Sequence, residues 1–399
     1  MDDRVLISSG RTGGQKPGFF PEDAMQPTVT AKNPVSLIVL DAQAVSRCRV
    51  HRYQQFLLLT NRRQATHPTT IYSLNMNGIC TLANDTVYDQ LIALLNSIEV
   101  ILGSNTPVCI YPFDDQIQQI QAEILNRPNV FIYEDSASIQ RWDKFMEAAA
   151  PERLNRKKFR LYGAHRRFCA FDGPFEKFIY MDADTLVMNS LDAVFLKLEE
   201  SDFVVYDFQF RDPNKVYNIQ SPKLLKVFEP NRIDSEIFCS GFYASKQGLF
   251  EQDTREWLLA QLQSGEAEIL YEGAGEQPLL NYMVMKTGIN SYNFAYSLPD
   301  GEKTGCSVTS KHFEEQNRIL YDKGNRLTYI HYIGVQPDLI RRVCAGENIE
   351  FPYRDLFLHY RYLREPSQRP IFAQVPKSYT EVCAPNLLKR VLRRLRINV

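Results

Sequence analysis

Between Gly78 and Asp135 the sequence alternates short apolar runs with one long periodic segment, and this alternation limits the fold more than any other feature. "GICTLAND" reads as a strand ending in polar residues, "YDQLIALLNSIEVIL" spaces its apolar residues as a helix does, and "TPVCIYPFDD" and "NVFIYED" are further strands. Strand, helix and strand in succession need a crossover connection, so the pattern predicts an α/β fold with a parallel sheet. With 44% of 399 residues hydrophobic, the chain has enough apolar material to cover both faces of such a sheet.

The grammar continues beyond Asp135. "NRKKFRLYGAHRRFCAF" is a basic stretch of helical character that feeds the strand "FIYM", and "SDFVVYDFQF" resumes the sheet. "LTYIHYIG" is a late strand. "SLIVL" and "QFLLLT", within residues 35–74, are apolar runs that the pattern does not place. Residues 1–33 are rich in glycine and proline and read as a flexible leader, 34–345 as the main domain, and 346–399 as an aromatic and basic helical extension.

The informative stretch is "FIYMDADTLV", where an apolar strand ends abruptly in Asp182 and Asp184. On an extended strand, residues i and i+2 point the same way, so the spacing predicts two carboxylates aimed at one point. Like charges so placed repel unless a cation lies between them. The competing reading is local, with Asp184 or Asn189 capping the turn before Leu191. In a parallel sheet the C-terminal strand ends share one rim, which would bring Thr81, Asn84, Asp182, Asp184 and His331 together. Two carboxylates with one imidazole suit Mn²⁺, with Mg²⁺ as the alternative, and leave positions for phosphate oxygens. Gly334, in "HYIG", would let backbone approach a phosphate.

Composition removes other classes. Lys plus Arg number 46 and Asp plus Glu 47, a formal net charge of −1, so no global basic field would draw nucleic acid. Eight cysteines are scattered without a CxxC pair, which reads as reduced thiols in a cytoplasmic protein, and no apolar run has the length of a signal peptide or membrane span.

"FIYMDADTLV" followed by "NSLDAVF" resembles the signature of the nucleotide-sugar-dependent transferases with the Rossmann-like GT-A fold, which implies a mixed, mainly parallel sheet flanked by helices, and of glycosyltransferase family 8 above all, which includes glycogenin and the lipopolysaccharide galactosyltransferases. Four segments match in the family's order: "TLANDTVY", "CSGFY", "EQPLLN" and "HYIG". The resemblance spans roughly Ile79 to Pro337. It implies that Asp182 touches ribose and metal, with Ala183 beside it, while Asp184 and His331 ligate the metal. Thr81, Leu82, Ala83 and Asn84 would line the base and ribose pocket, with Tyr88 stacking on uracil. Gln277 would lie beneath the anomeric carbon, Glu276 would be the neighbouring acid, and a basic residue before the DxD strand would contact the donor. Arg160 is the choice there, with Arg166 and Arg167 as rivals.

The departures concern the donor. Cys239 stands where the family has asparagine, and Glu276 lengthens the usual aspartate by one methylene, which should move the contacts to sugar hydroxyls. "HYIGVQP" offers Gln336 where the family has a diphosphate-gripping lysine, leaving that charge to metal and arginine. The resemblance thus implies a metal-dependent glycosyltransferase acting on a nucleotide-diphosphate sugar, UDP being the expected nucleotide, with retention and an unknown acceptor. Two alternatives stay open: a nucleotidyltransferase, and a non-catalytic binder of nucleotide sugars or carbohydrates. Finally, "PNLLKRVLRRLRINV" sets Leu387, Leu388, Val391, Leu392 and Leu395 in one helical stripe opposite five cations. Such a tail either docks on the body or lies on the anionic inner face of a membrane as a peripheral attachment, which would suit a lipid-linked acceptor.

Overall fold

Strand β1 (Leu74–Ala83) shows why both faces of the sheet are covered. Its side chains alternate, with Cys80 and Leu82 entering one apolar cluster and Ile79 and Ala83 the other. The computed structural model describes residues 74–149, 163–271 and 275–379; the chain divides into residues 1–67 and 68–399, and every described residue belongs to the second part. The leader, "SLIVL" and "QFLLLT", Arg160 and the tail from 385 to 399 therefore lie outside the described residues.

After β1 come α1 (Tyr88–Leu102), β2 (Val108–Pro112), α2 (Gln118–Ile124), β3 (Val130–Ile132) and α3 (Ser136–Ala149). Of the basic stretch before the next strand, the part within the described residues winds as a 3₁₀ helix over Ala164–Asp172. Then follow β4 (Phe175–Met181), β5 (Thr185–Val187), α4 (Asp192–Lys197), β6 (Phe203–Val205) and β7 (Phe242–Lys246). Helices α5 (Gln252–Gln263) and α6 (Gln277–Thr287) lead to β8 (Ser291–Asn293).

The seven-stranded sheet has the order β3-β2-β1-β4-β7-β6-β8. Only the pairs that β7 makes, with β4 and β6, are antiparallel; the other four are parallel. The predicted mixed, mainly parallel sheet flanked by helices is what forms. In β4, Phe178 and Tyr180 face one cluster and Ile179 and Met181 the other, so the strand is buried on both sides until Asp182.

Next come β9 (Glu314–Gln316), β10 (Ile319–Asp322), β11 (Asn325–Arg326) and β12 (Tyr329–His331). The late strand is correctly located but does not join the parallel sheet. It pairs antiparallel with β5, setting His331 opposite Thr185. Helices α7 (Pro337–Cys344) and α8 (Arg354–Arg361) pack with β10 and β12 around a third apolar cluster that includes Leu320, Ile330, Leu339 and Phe357. Asn96 of α1 donates to the carbonyl of Tyr360 at 2.7 Å, and Arg361 pairs with Asp89 at 2.6 Å, so α8 is tied to the first helix of the sheet domain. Among the described residues no helix is long and apolar enough to cross a membrane.

Candidate active site

The two acids converge, by a route different from the predicted one. Asp182 and Asp184 do not share an extended strand. The amide of Thr185 donates to the carbonyl of Asp182 at 3.1 Å and the Thr185 hydroxyl reinforces it at 2.7 Å, closing a turn between β4 and β5. Asp182 keeps the facing of Tyr180, whose hydroxyl donates to its Oδ1 at 2.9 Å. Asp184 is brought to the β5–β12 ribbon, where its carbonyl accepts from the amide of Tyr332 at 2.8 Å. Neither Asp184 nor Asn189 caps the following helix, whose N-cap position is Leu191 and carries no side-chain cap; the Ser190 hydroxyl accepts from the Asp192 amide just before it.

His331, next in the chain to Tyr332, completes the cluster. Its Nε2 lies 3.1 Å from Asp184 Oδ1 and 3.9 Å from Asp182 Oδ2. One ligand atom from each of the three residues lies within 4.8 Å of the others, the disposition a single divalent cation requires. The His331 side chain is 9% exposed and the carboxylates 24% each, so the acids stay partly open to solvent while the imidazole is nearly covered. Gly241 keeps this corner open: a Cβ there would sit 2.4 Å from His331 Cε1 and 2.9 Å from Asp182 Oδ2.

Behind the acids stands Arg167, fully inside the protein. It reaches Asp182 Oδ1 at 3.1 Å and Glu276 Oε1 at 3.0 Å, donates to the carbonyl and hydroxyl of Ser240 at 2.8 and 3.1 Å, and lies over the Tyr180 ring. Ser240 ties in the other side of the cleft, its hydroxyl donating to Glu276 Oε1 and its amide to Gln277 Oε1, both at 3.2 Å. Burial works against the charge of Arg167, but Asp182 and Glu276 outweigh it and raise its pKa. Burial raises Asp182, opposed by Arg167 and aided by Asp184. Asp184 is lowered, because His331 outweighs burial, and His331 is raised in turn by Asp184 against its own desolvation.

The structure thus brings together Asp182, Asp184, His331, Glu276 and Gln277. Of the two described arginines in this stretch, Arg167 faces Asp182 and Glu276, whereas Arg166 grips Asp143; Arg160 lies outside the described residues. The β1 loop is occupied differently. Asn84 Oδ1 accepts from the Thr86 amide at 3.1 Å and its amide donates to Asp114 at 2.9 Å, while Leu82 and Ala83 are buried in opposite clusters. Thr81 is buried in mid-strand with no partner for its hydroxyl. Tyr88 donates to Glu123 at 3.3 Å, and the Arg361 guanidinium covers its ring at 5.5 Å, so at least one face of the ring is taken. Gly334 is exposed with φ of 85° and open space where a Cβ would stand. Beyond the anticipated residues, the site includes Ser240 and Gly241, and His331 acts electrostatically on Asp207, a carboxyl buried just past β6 with one oxygen lacking a partner.

No protein-family model matches this sequence. No curated protein sequence matches it either. Among solved structures the chain is similar to the galactosyltransferase LgtC in complex with donor and acceptor sugar analogs, at 15% identity, covering 76% of this chain and 98% of that chain with a TM-score of 0.46. It is similar to the bifunctional glycosyltransferase WbbM at 13% identity, over 77% of this chain and 53% of that chain, with a TM-score of 0.45. It is similar also to mouse xyloside xylosyltransferase 1 at 11% identity, over 54% and 84% of the two chains, with a TM-score of 0.40. These are glycosyltransferases, the class to which the motifs point. At such identities and TM-scores the likeness carries no weight on chemistry, which rests on the geometry of the site.

Proposed function

We propose that the protein is a glycosyltransferase that moves a sugar from a nucleotide-diphosphate sugar, with UDP the expected nucleotide, to an acceptor hydroxyl, using Mn²⁺ or Mg²⁺ held by Asp182, Asp184 and His331. The observation that carries this reading is a charge imbalance at one open corner. Three carboxylates, Asp182, Asp184 and Glu276, meet a single guanidinium, so the corner is net negative whichever state His331 adopts. Two carboxylates and a neutral imidazole are a donor set that suits Mn²⁺. A bound divalent cation would supply Lewis-acid neutralisation of a departing diphosphate.

The chain's own groups do the rest. Arg167 pins Asp182 and Glu276 in fixed positions and is spent on them, which supports a role in organising the site. Ser240 holds Gln277 through its side-chain oxygen, orienting the first residue of α6 toward the same cleft. A carboxamide is a poor nucleophile, so Gln277 acts by position and electrostatics, stabilising positive charge that develops at the anomeric carbon. Glu276, held in place by Arg167 and Ser240, supports that position. Retention of configuration is the expectation that accompanies this role.

Two measurements test the reading. Gln277→Ala should lower kcat far more than it raises the KM for donor, because the interaction is made mainly in the transition state; a pure KM effect would reassign Gln277 to binding. Proton NMR of freshly formed product should show the donor's anomeric configuration, and an inverted product would remove retention. Release of pyrophosphate in place of a nucleoside diphosphate would identify a nucleotidyltransferase instead.

A further inference from the structure

Beside the edge strand β8 and its neighbour β6 lies a cavity of about 250 Å³ whose lining shares no residue with the Asp182–Asp184–His331 cluster. Its apolar lining includes Phe203 and Val205, which stand opposite Ser291 and Asn293 in the β6–β8 register, together with Phe238. The volume is below the roughly 300–1,000 Å³ of drug-sized sites and suits one small ring.

The polar lining defines the chemistry. Among the described residues the hydroxyls of Ser291, Tyr296 and Ser297 take part in no hydrogen bond within the protein, so they face the cavity or water. Glu236 is the charged group of the lining, and Arg232 already grips it at 2.7 and 2.5 Å. With no lysine or arginine among the described lining residues, a phosphate or carboxylate would find no counter-charge. A neutral molecule rich in hydroxyl groups fits. Tyr296, 55% exposed, adds an aromatic shelf, its ring braced edge-on by Phe210 at 5.5 Å. Such a ring offers an apolar face and a polar tip to a ligand that has both.

The chain links the cavity to the transfer site. Phe238 is two residues before Ser240, which bonds Arg167 and Glu276, and two residues of chain span at most about 7 Å. On the other side Asn293 donates to the carbonyl of Asp207 at 3.0 Å. We propose that this cavity is a saccharide subsite, holding a pyranose unit of the acceptor beside the position where transfer occurs. Its assignment to the acceptor rests on the glycosyl-transfer reading; its assignment to a saccharide rests on the lining alone.

Saturation-transfer NMR on the full chain tests it, with the methyl glycosides of glucose, galactose, mannose and N-acetylglucosamine at millimolar concentration. At least one glycoside should receive saturation without UDP or Mn²⁺. Tyr296→Ala, a surface change, should weaken that binding by about fivefold, the worth of one aromatic contact. Ser291→Trp, which fills the cavity, should abolish it, and both variants should bind UDP with Mn²⁺ as the parent does. No saturation of any glycoside in the parent, or a signal that survives both substitutions, overturns the subsite even where UDP and Mn²⁺ bind normally. Glycoside binding that follows Tyr296 and Ser291 in a protein that binds no UDP would keep the saccharide site and remove its acceptor assignment.

Discussion

Arg166 and Arg167 are neighbours in the chain, and each meets an aspartate that also touches a histidine, yet the two clusters differ in what they leave undone. In the first, Arg166 donates to both oxygens of Asp143 at 3.1 and 3.0 Å, and His165 takes Oδ1 at 2.7 Å. Here one carboxylate is met by both a guanidinium and an imidazole, so bases are not outnumbered by acids. His165 and Arg166 outweigh burial and hold Asp143 down to about 2. In the second, Arg167 faces Asp182 and Glu276, and His331 faces Asp184 and Asp182, so carboxylates exceed cations. A completed pair fastens the 3₁₀ helix to α3, whereas an incomplete one invites a cation. What separates clasp from site is the number of acids per base, which neither the residue types nor the contact distances alone reveal.

The sharpest way to break this comparison is to remove a ligand from the unbalanced cluster. Asp184→Asn and His331→Ala should each weaken Mn²⁺-dependent UDP binding by more than about 100-fold, beyond the usual cost of losing an outer-shell partner. Titration calorimetry reads the affinity, and thermal unfolding should show a folded protein in both cases. Unchanged affinity in the two variants would put the metal elsewhere. Gly241→Ala is the next largest test. Its Cβ would displace the His331 ring and the Asp182 carboxylate without touching a ligand atom's chemistry, and should weaken the same binding by roughly 10- to 100-fold. Wild-type affinity there would show that the corner is looser than its contacts imply.

The balanced cluster should respond in the opposite sense. Asp143→Ala leaves a buried imidazole and a guanidinium without their shared acceptor, at a cost of about 1.5–2 kcal/mol of stability. Denaturant titration measures that loss. UDP and Mn²⁺ should bind the folded variant as they bind the parent, and a matching fall in affinity would mean that the two clusters are one site.

Much of this was legible in the sequence, for identifiable reasons. The β1 to β3 region was readable because alternation and helical spacing are local, and α1 runs over the very residues, Tyr88–Leu102, that the periodicity marked. Asp182, Asp184 and His331 were legible as chemistry, but their meeting depends on a turn and an antiparallel ribbon between strands more than 140 residues apart, which periodicity cannot show. Arg167 was harder still. "HRRF" offers two adjacent arginines of equal chemistry, and the 3₁₀ winding of Ala164–Asp172 turns one toward Asp143 and the other toward Asp182. Asp207 carried no local signal, since an acid after "FVVY" reads as an ordinary strand end until its burial is known.

Asp207 also supplies the smallest test, because it solves the problem of an acid near the site in a third way, by losing its charge. Its Oδ1 accepts from the Gln209 amide at 2.6 Å, but its Oδ2 has no partner, and no lysine or arginine is paired with it among the described residues. Burial, partly offset by backbone amides and His331, raises it from 3.8 to about 7. A group whose pKa is raised on folding contributes stability that is fully present below its unfolded value, and this is lost as pH rises through the folded one. The window is therefore about pH 4 to 7. Asp207→Asn cannot titrate and should lack this dependence. Between about pH 6 and pH 8 the parent should lose on the order of 1 kcal/mol relative to the variant. Paired denaturant titrations at the two pH values measure the difference directly. Parallel changes in both proteins would mean that Asp207 stays charged through this range, and that it finds in solution a cationic partner comparable to those of Asp143.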